Sequence, residues 1–445
     1  RGVAIGYDNR HMSYKFAIES AKVLATYGIK SYIFESLRPT PELSFAVRYL
    51  KCAGGIMITA SHNPKEHNGY KVYDDTGCQL LPEAADQVVQ YVNEVEDELN
   101  IKVFSDEEAY PYMTWIGEEV DEAYYKEVMA IEVNPGMDKS DFKIVFSPQH
   151  GTSNIAVRTC LTRLGYDLVP VLAQCDPDFS NTKSPNPEVP ASYELAIKKA
   201  KEVDADVVVI TDPDGDRLGV VAKHNGEYVL MSGNQSAAVY LEYILSQMKE
   251  KGTLPDNAVM YNTIVTSDLG ELVARSYGVD VEKTLTGFKF IGDKIRKYEQ
   301  THEKTFVFGY EESYGCVIKD FVRDKDAVQA VLTAAEAGNF YKKQGKDLVD
   351  VLNELYAKHG TFKETQIALS KAGAAGAARI KEIMDNLRKD APQEIGGVKV
   401  VKVEDYGNST CSDGTTIQLP KSNVLKYYLE DGSWIAARPS GTEPK

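Results

Sequence analysis

One pattern recurs three times along the chain and leaves few folds open to it. A short apolar strand is followed by a polar loop, an amphipathic helix and a glycine that leads into a second strand. The copies run from residues 3–5 through Gly28 to 31–34, from 144–146 through Gly165 to 168–171, and from 259–261 through Gly278 to 279–281. Strands alternating with helices in this way specify βαβ units, whose crossover makes the joined strands parallel. The helices agree locally: Ala17, Ala21, Leu24 and Ala25 form one stripe in the first copy, and Leu269, Leu272 and Val273 mark the third. Units of this kind also recur independently in α/β proteins, and these copies share pattern more than identity. Three related α/β domains with mixed, largely parallel sheets are the simplest account.

At 445 residues the chain exceeds one ordinary core, since domains average roughly 150 residues. Turn residues interrupt the periodic segments near Asn134-Pro135-Gly136, near Gly252 to Asp256 and near His359-Gly360. The expected domains are therefore 1–134, 135–254, 255–362 and 363–445. The last differs in character, with an Ala/Gly-rich stretch at 372–378, a helix through Met384 and Leu387, and short strands around 398–403 and 434–437. It reads as a smaller α+β domain.

Charge narrows the partners. A formal net charge of −16 opposes non-specific attraction to nucleic acid or anionic lipid, and no apolar run approaches the ~20 residues that span a bilayer. No nucleic-acid or membrane partner is expected, and an anionic substrate has to meet a local basic site. The six cysteines, Cys52, Cys78, Cys160, Cys175, Cys316 and Cys411, form no Cys-x-x-Cys pair, so a cytoplasmic setting is expected over a disulfide scaffold or zinc site. The chain opens on Arg1 without an initiator methionine or signal-peptide pattern and stops at Lys445 just after a Gly-Thr turn. Further residues are expected at both ends.

Four constellations carry chemistry. Thr59-Ala60-Ser61-His62-Asn63-Pro64 follows the apolar run Ile56-Met57-Ile58, and a serine on a proline-fixed turn at a strand end can serve as nucleophile or phosphate carrier. His62 beside it suits a base or an ordinary turn hydrogen bond. No Gly-x-Ser-x-Gly elbow supports a hydrolase triad. Asp212-Pro213-Asp214-Gly215-Asp216-Arg217 follows Val207-Val208-Val209-Ile210, and three alternating carboxylates at a strand end offer oxygens to a hard divalent cation, with magnesium the natural occupant. Arg217 beside them suits a transferring phosphoryl group. Gly309-Tyr310-Glu311-Glu312-Ser313-Tyr314-Gly315 presents acceptors and a hydroxyl suited to sugar hydroxyls, with the basic run Arg323-Asp324-Lys325-Asp326 close behind. Arg438-Pro439-Ser440-Gly441-Thr442 has the makings of a phosphate nest. Each stretch alone also fits a solvated turn.

Together, in this order and one per expected domain, these motifs resemble the α-D-phosphohexomutases, in particular the phosphoglucomutase/phosphomannomutase group. The resemblance covers residues 3–445. Ser147-Pro148-Gln149-His150-Gly151, Pro185-Asn186-Pro187-Glu188 and Thr286-Gly287-Phe288-Lys289 resemble the group that includes bacterial and animal phosphoglucomutases and phosphopentomutases. It implies that Ser61 is a phosphoserine and a metal ligand with Asp212, Asp214 and Asp216. It also implies that His62, Lys71, Arg217 and Lys325 serve the transfer, Lys325 through proton movement. Glu311, Ser313, Lys289 and Arg323 are implied to hold the sugar, and Arg438, Ser440, Gly441 and Thr442 the distal phosphate. One departure lies at the ends: an N-terminal segment with an arginine-bearing loop, and the region beyond the last phosphate loop, have no counterpart here.

The implied reaction is transfer between two ends of one sugar, glucose 1-phosphate and glucose 6-phosphate first among the candidates, mannose and pentose phosphates next. The phosphoserine gives its group to a hexose monophosphate, and the resulting bisphosphate turns around before returning the other phosphate to serine. The implied cofactors are Mg2+ and glucose 1,6-bisphosphate, which is both intermediate and activator. The partner is a small phosphosugar, and the protein a monomer or weak dimer. A sugar phosphatase and a silent regulatory relative are the competing readings.

Overall fold

The structure is a computed structural model that describes residues 1–369 and 373–439. The chain divides into two compact units, Arg1–Phe362 and Lys363–Lys445.

The first unit holds three sheets. One comprises β1 (Val3–Tyr7), β2 (Ser31–Phe34), β3 (Gly54–Ile58), β4 (Tyr70–Tyr73) and β5 (Met113–Ile116), in the order β4-β3-β1-β2-β5. The next has β6 (Lys143–Ser147), β7 (Asp167–Pro170), β8 (Val207–Thr211), β9 (Leu218–His224) and β10 (Glu227–Met231), ordered β10-β9-β8-β6-β7. The third has β11 (Ala258–Thr263), β12 (Asp280–Thr284), β13 (Thr305–Tyr310) and β14 (Cys316–Val317), ordered β12-β11-β13-β14. In every sheet the first strand is flanked by parallel second and third strands, and a fourth folds back antiparallel on the third. The recurring sequence unit is thus a recurring topology, as expected.

The apolar character of the central strands follows from burial on both faces: all five residues of β8 are buried. The helix of the first copy, Ser13–Thr26, buries Ala17, Ala21 and Ala25, with Leu24 partly buried beside them. The third copy departs from the expected stripe. Its helix, Leu269–Ser276, buries Leu269, Gly270, Val273 and Ala274, whereas Leu272 is 37% exposed. At ~100° per residue Leu272 points well away from the centre of that face.

The connections from the second strand to the next helix are unequal. Residues 35–39 and 285–287 serve in the first and third sheets, but 171–189 in the second. A helix buried on nearly every side, Ala327–Lys342, lies in the core and packs on helices Glu118–Met129, Asn154–Arg163 and Gly233–Glu250.

The second unit is an antiparallel sheet of β15 (Glu394–Ile395), β16 (Val398–Asp405), β17 (Thr410–Cys411), β18 (Leu425–Leu429) and β19 (Trp434–Ala437). Its helix, Gly373–Lys389, sets Met384 against Leu425 and Tyr427. This is the expected α+β character. Among the described residues no helix is long and apolar enough to cross a membrane.

Candidate active site

Three of the four motifs occupy one topological position. Ser61 lies in the β3–β4 hairpin, Asp212 to Arg217 in the β8–β9 hairpin, and Glu311 and Ser313 in the β13–β14 hairpin. Each loop leaves the C-terminal end of the third strand of its sheet, the side where parallel strands gather ligands.

The serine hairpin is tightly specified. Ser61 has a left-handed backbone, φ 52°, a rare state for a residue with a side chain. Its N–H donates to Thr59 Oγ1 at 2.9 Å. A Cβ at Gly69 would sit 2.5 Å from the Thr59 carbonyl oxygen, so only glycine lets the two hairpin arms meet there. Beneath the loop lies Arg10. Its Nη2 donates to the carbonyls of Ser61 and Asn63, both at 2.6 Å, and its Nη1 to those of Pro64 and His67 at 2.9 and 3.2 Å. Asp8 Oδ2 balances the guanidinium at 3.1 Å, and neither side chain is exposed.

The Ser61 hydroxyl donates to Asp212 Oδ2 at 2.9 Å and lies 3.2 Å from His62 Nδ1. Asp212, Asp214 and Asp216 are buried, and each offers an oxygen within 4.8 Å of the others. The loop is stitched in place by Thr40, whose hydroxyl donates to Asp214 Oδ2 at 3.0 Å and whose N–H donates to the Asp214 carbonyl at 2.8 Å. Two cations stand over the carboxylates: Lys71 Nζ is 2.9 Å from Asp214 Oδ2, and Lys325 Nζ is 3.1 Å from Asp216 Oδ2. Burial and then the neighbouring Asp214 and Asp216 push the Asp212 carboxyl well above its usual range. Burial acts on Asp214 in the same sense and is the largest single influence, but Lys71, the contact with Asp212 and Lys325 together outweigh it and hold that carboxyl low. Burial opposes the charge on Lys71 and Lys325; Asp214 and Asp216 outweigh it for the first, Asp216 and Asp324 for the second, and both ammonium groups are strengthened.

Asp214 Oδ1 and Asp216 Oδ1 are buried without a hydrogen-bond partner. Orphaned carboxylate oxygens converging beside a hydroxyl suit a hard cation, which they would hold together with Asp212 and Ser61. The donor set therefore fits magnesium. A second group of possible ligands, His224, Asp347 and Asp350, already uses Asp347 Oδ1 and Asp350 Oδ2 to cap helix Leu348–His359.

Around this centre, Arg217 Nη1 donates to Glu188 Oε1 at 2.7 Å. Glu311 Oε1 accepts from the Gly287 N–H at 2.7 Å, and burial raises its pKa. Ser313 is half-buried on the same loop. Lys289 stands in the first turn of helix Phe288–Thr301, just after Gly287, with Nζ over the Phe290 ring. Arg323 is not brought to the carboxylates. It is fully buried, with Nη2 2.6 Å from Glu299 Oε2 and Nη1 on the Asp320 and Val322 carbonyls. Arg438 follows β19 and is exposed, while Ser440, Gly441 and Thr442 lie outside the described residues.

Family models match the chain in three consecutive blocks, phosphoglucomutase/phosphomannomutase alpha/beta/alpha domain I at residues 1–99, domain II at 122–226 and domain III at 232–359. The chain belongs to the phosphoglucomutase/phosphomannomutase family. A phosphoglucomutase of Staphylococcus epidermidis is 40% identical over 453 residues, spanning 100% of this chain and 81% of the relative. One from Staphylococcus aureus is 39% identical over 452 residues, spanning 100% and 80%. A solved structure from Thermus thermophilus, provisionally called a phosphomannomutase, has a TM-score of 0.66 at 26% identity, covering 80% of this chain and 74% of that one.

In this phosphoglucomutase/phosphomannomutase chain, sequence reasoning passed over four residues of the centre. Asp8 and Arg10 follow β1 in a stretch that reads as a polar turn. Thr40 precedes a proline at a helix start. Glu188 stood in a recognised stretch without a role, and its pairing with Arg217 is visible only in three dimensions.

Proposed function

We propose that the protein is a phosphosugar mutase that interconverts glucose 1-phosphate and glucose 6-phosphate, carrying the phosphoryl group on Ser61 and passing through glucose 1,6-bisphosphate. The observation that carries the reading is the contact of Ser61 Oγ with Asp212 Oδ2, 2.9 Å, at the rim of a carboxylate cluster with two orphaned oxygens. The phosphoglucomutases that share about 40% identity along the chain support the sugar.

In the forward half-reaction the bond from phosphorus to Ser61 Oγ breaks and one to the free sugar hydroxyl forms. The sugar hydroxyl gives up its proton, and Ser61 Oγ takes one as the phosphoryl group leaves it. After the bisphosphate turns, Ser61 Oγ gives up that proton and attacks the phosphorus at the other end, whose bond to the sugar oxygen breaks, and the freed sugar oxygen takes a proton. Asp212, Asp214 and Asp216, with Ser61, would hold magnesium, which would supply charge neutralisation and orientation to the phosphoryl group. Arg217, Lys71 and Lys325 add fixed positive charge on the approach side. Lys325, the candidate for proton movement, is held in its ammonium state by Asp216 and Asp324 against the effect of burial. His62 steadies the serine hydroxyl. Glu311, Ser313 and Lys289 take the sugar hydroxyls, and Arg438, Ser440, Gly441 and Thr442 the phosphate that does not react. Arg323 reads as a structural cation on Glu299, outside this set. The work divides among residues 1–134 for the serine, 135–254 for the metal, 255–362 for the sugar and 363–445 for the distal phosphate.

Incubation with glucose 1-phosphate, magnesium and a trace of glucose 1,6-bisphosphate tests the reading. Stoichiometric glucose 6-phosphate supports it, and release of inorganic phosphate in its place identifies a phosphatase. Relative kcat/KM for the 1-phosphates of glucose, mannose and ribose decides the sugar.

A further inference from the structure

We propose that Glu188 is a positioning residue for the transfer: it holds Arg217 off the metal-binding oxygen of Asp216 and keeps it available to the phosphoryl group. The inference rests on the roles given above to Arg217 and the aspartates.

The starting observation is an asymmetry among the three sheets. The connection after the second strand takes residues 35–39 and 285–287 in two of them, but 171–189 in the other, without helix or strand. Connections of that length inside compact domains usually carry function. This one is firmly anchored. The Gln174 carbonyl lies 2.8 Å from His150 Nδ1, the Asp176 carbonyl accepts from Asn9 Nδ2 at 3.0 Å, and the Pro187 carbonyl accepts from the buried Tyr193 hydroxyl at 2.6 Å. Two prolines, Pro185 and Pro187, and an N–H of Glu188 bonded to Asn186 Oδ1 at 2.9 Å fix the backbone at its end. The segment thus delivers one carboxylate, Glu188, to one guanidinium.

That guanidinium has a second acidic neighbour. Arg217 Nε stands 3.8 Å from Asp216 Oδ1, beyond hydrogen-bond distance, and both atoms are buried and unpartnered. A hydrogen bond there needs a closure of about 1 Å. Glu188, at 2.7 Å on Nη1, is the counterweight that keeps the gap open. It leaves Asp216 Oδ1 to a cation and Arg217 Nε to an incoming phosphoryl oxygen. Without Glu188 the guanidinium collapses onto Asp216, and one carboxylate oxygen is lost to the metal.

The test is calorimetric titration of the full chain with magnesium chloride, without sugar, for wild type, Glu188→Ala, Glu188→Gln, Arg217→Ala and the double alanine variant. Melting curves serve as the fold control. Glu188→Ala should weaken magnesium binding ~10–100-fold, the usual scale for a residue that orients a metal site's neighbours. Glu188→Gln, which keeps an oxygen acceptor, should fall between. The decisive comparison is the Arg217→Ala background, where adding Glu188→Ala should change magnesium affinity little, because no guanidinium remains to collapse. In steady state Glu188→Ala should lower kcat with KM for glucose 1-phosphate nearly unchanged. Wild-type affinity in Glu188→Ala, or an equal loss with and without Arg217, overturns the inference. If wild type binds no magnesium, the reading of the aspartates falls and this inference with it. If Arg217→Ala turns over normally, Arg217's role in transfer falls, and Glu188's role in transfer with it.

Discussion

Replacing Arg10 with lysine probes how much of the serine's reactivity is held from below. The guanidinium spans four carbonyls of the loop at 2.6–3.2 Å and one carboxylate oxygen of Asp8 at 3.1 Å. Lysine keeps the charge, but three donors on one nitrogen satisfy Asp8 and at most two carbonyls. At least two charge-assisted hydrogen bonds are lost, each contributing ~1.5–3 kcal/mol. The total of about 3–6 kcal/mol divides between lower stability and loosening of the loop around its left-handed Ser61. If the whole goes into reordering the loop at each turnover, kcat falls by ~10²–10⁴, and if half does by ~10–10², at about 1.4 kcal/mol per tenfold. Initial rates from glucose 1-phosphate, coupled to glucose 6-phosphate oxidation, measure that fall. Intact mass reports the phosphate on Ser61, and a melting curve the stability share. A lysine variant with kcat within about threefold of wild type and an unshifted melting temperature would refute the reasoning.

Ser61→Ala should abolish turnover while the melting temperature stays within a few degrees, and intact mass should show the phosphate gone; retained mutase activity would remove the serine from the mechanism. Asp214→Asn replaces one anionic ligand with a neutral one and should slow transfer by orders of magnitude, with excess EDTA silencing wild type as well. Arg438→Ala should raise KM in both directions and increase the requirement for added glucose 1,6-bisphosphate, leaving phosphoserine in the resting protein unchanged. Asp326 tests stability against pH, because burial raises its carboxyl from 3.8 to about 6 although it accepts hydrogen bonds from Tyr124 and the Val328 and Gln329 N–H groups. The folded state then binds the proton more tightly than the unfolded chain, so wild type loses about 3 kcal/mol as pH rises from ~4 to ~6. Asn caps the helix equally well without titrating; the melting temperature of Asp326→Asn should gain on wild type across that window and level off above it, and parallel curves would refute the assignment.

The repeat was legible because parallel strands covered on both faces must be apolar runs, as in Val207 to Ile210, and the helices between them must carry stripes. The antiparallel arm β4 was harder to see: Tyr70–Tyr73 runs from an exposed to a buried residue and lacks a continuous apolar signal. Ser61 and the aspartates were legible because their chemistry is compressed into six-residue turns. Arg323 and Lys325 show the limit of such proximity, since residues two apart in an irregular turn point to different neighbours, one to Glu299 and the other to Asp216. Arg10 and Glu188 were out of reach for a related reason. Each acts on a partner at least 29 residues away, and nothing in a single sequence marks that pairing.

The aspartate loop after β8 bonds through its backbone to elements of both neighbouring sheets. The Asp214 carbonyl accepts from the Thr40 N–H at 2.8 Å, the Gly215 carbonyl from the Ala327 N–H at 3.2 Å, and the Leu218 N–H donates to the Tyr314 carbonyl at 2.9 Å. The loop is therefore a keystone, complete only when elements of all three sheets of the first unit are packed together. A cation that binds the docked state alone draws the equilibrium toward it, by ~2.7 kcal/mol at a free concentration a hundred times its Kd. If the aspartates hold magnesium as proposed, protease resistance of the whole first unit should rise and fall with the ion even when no sugar is present.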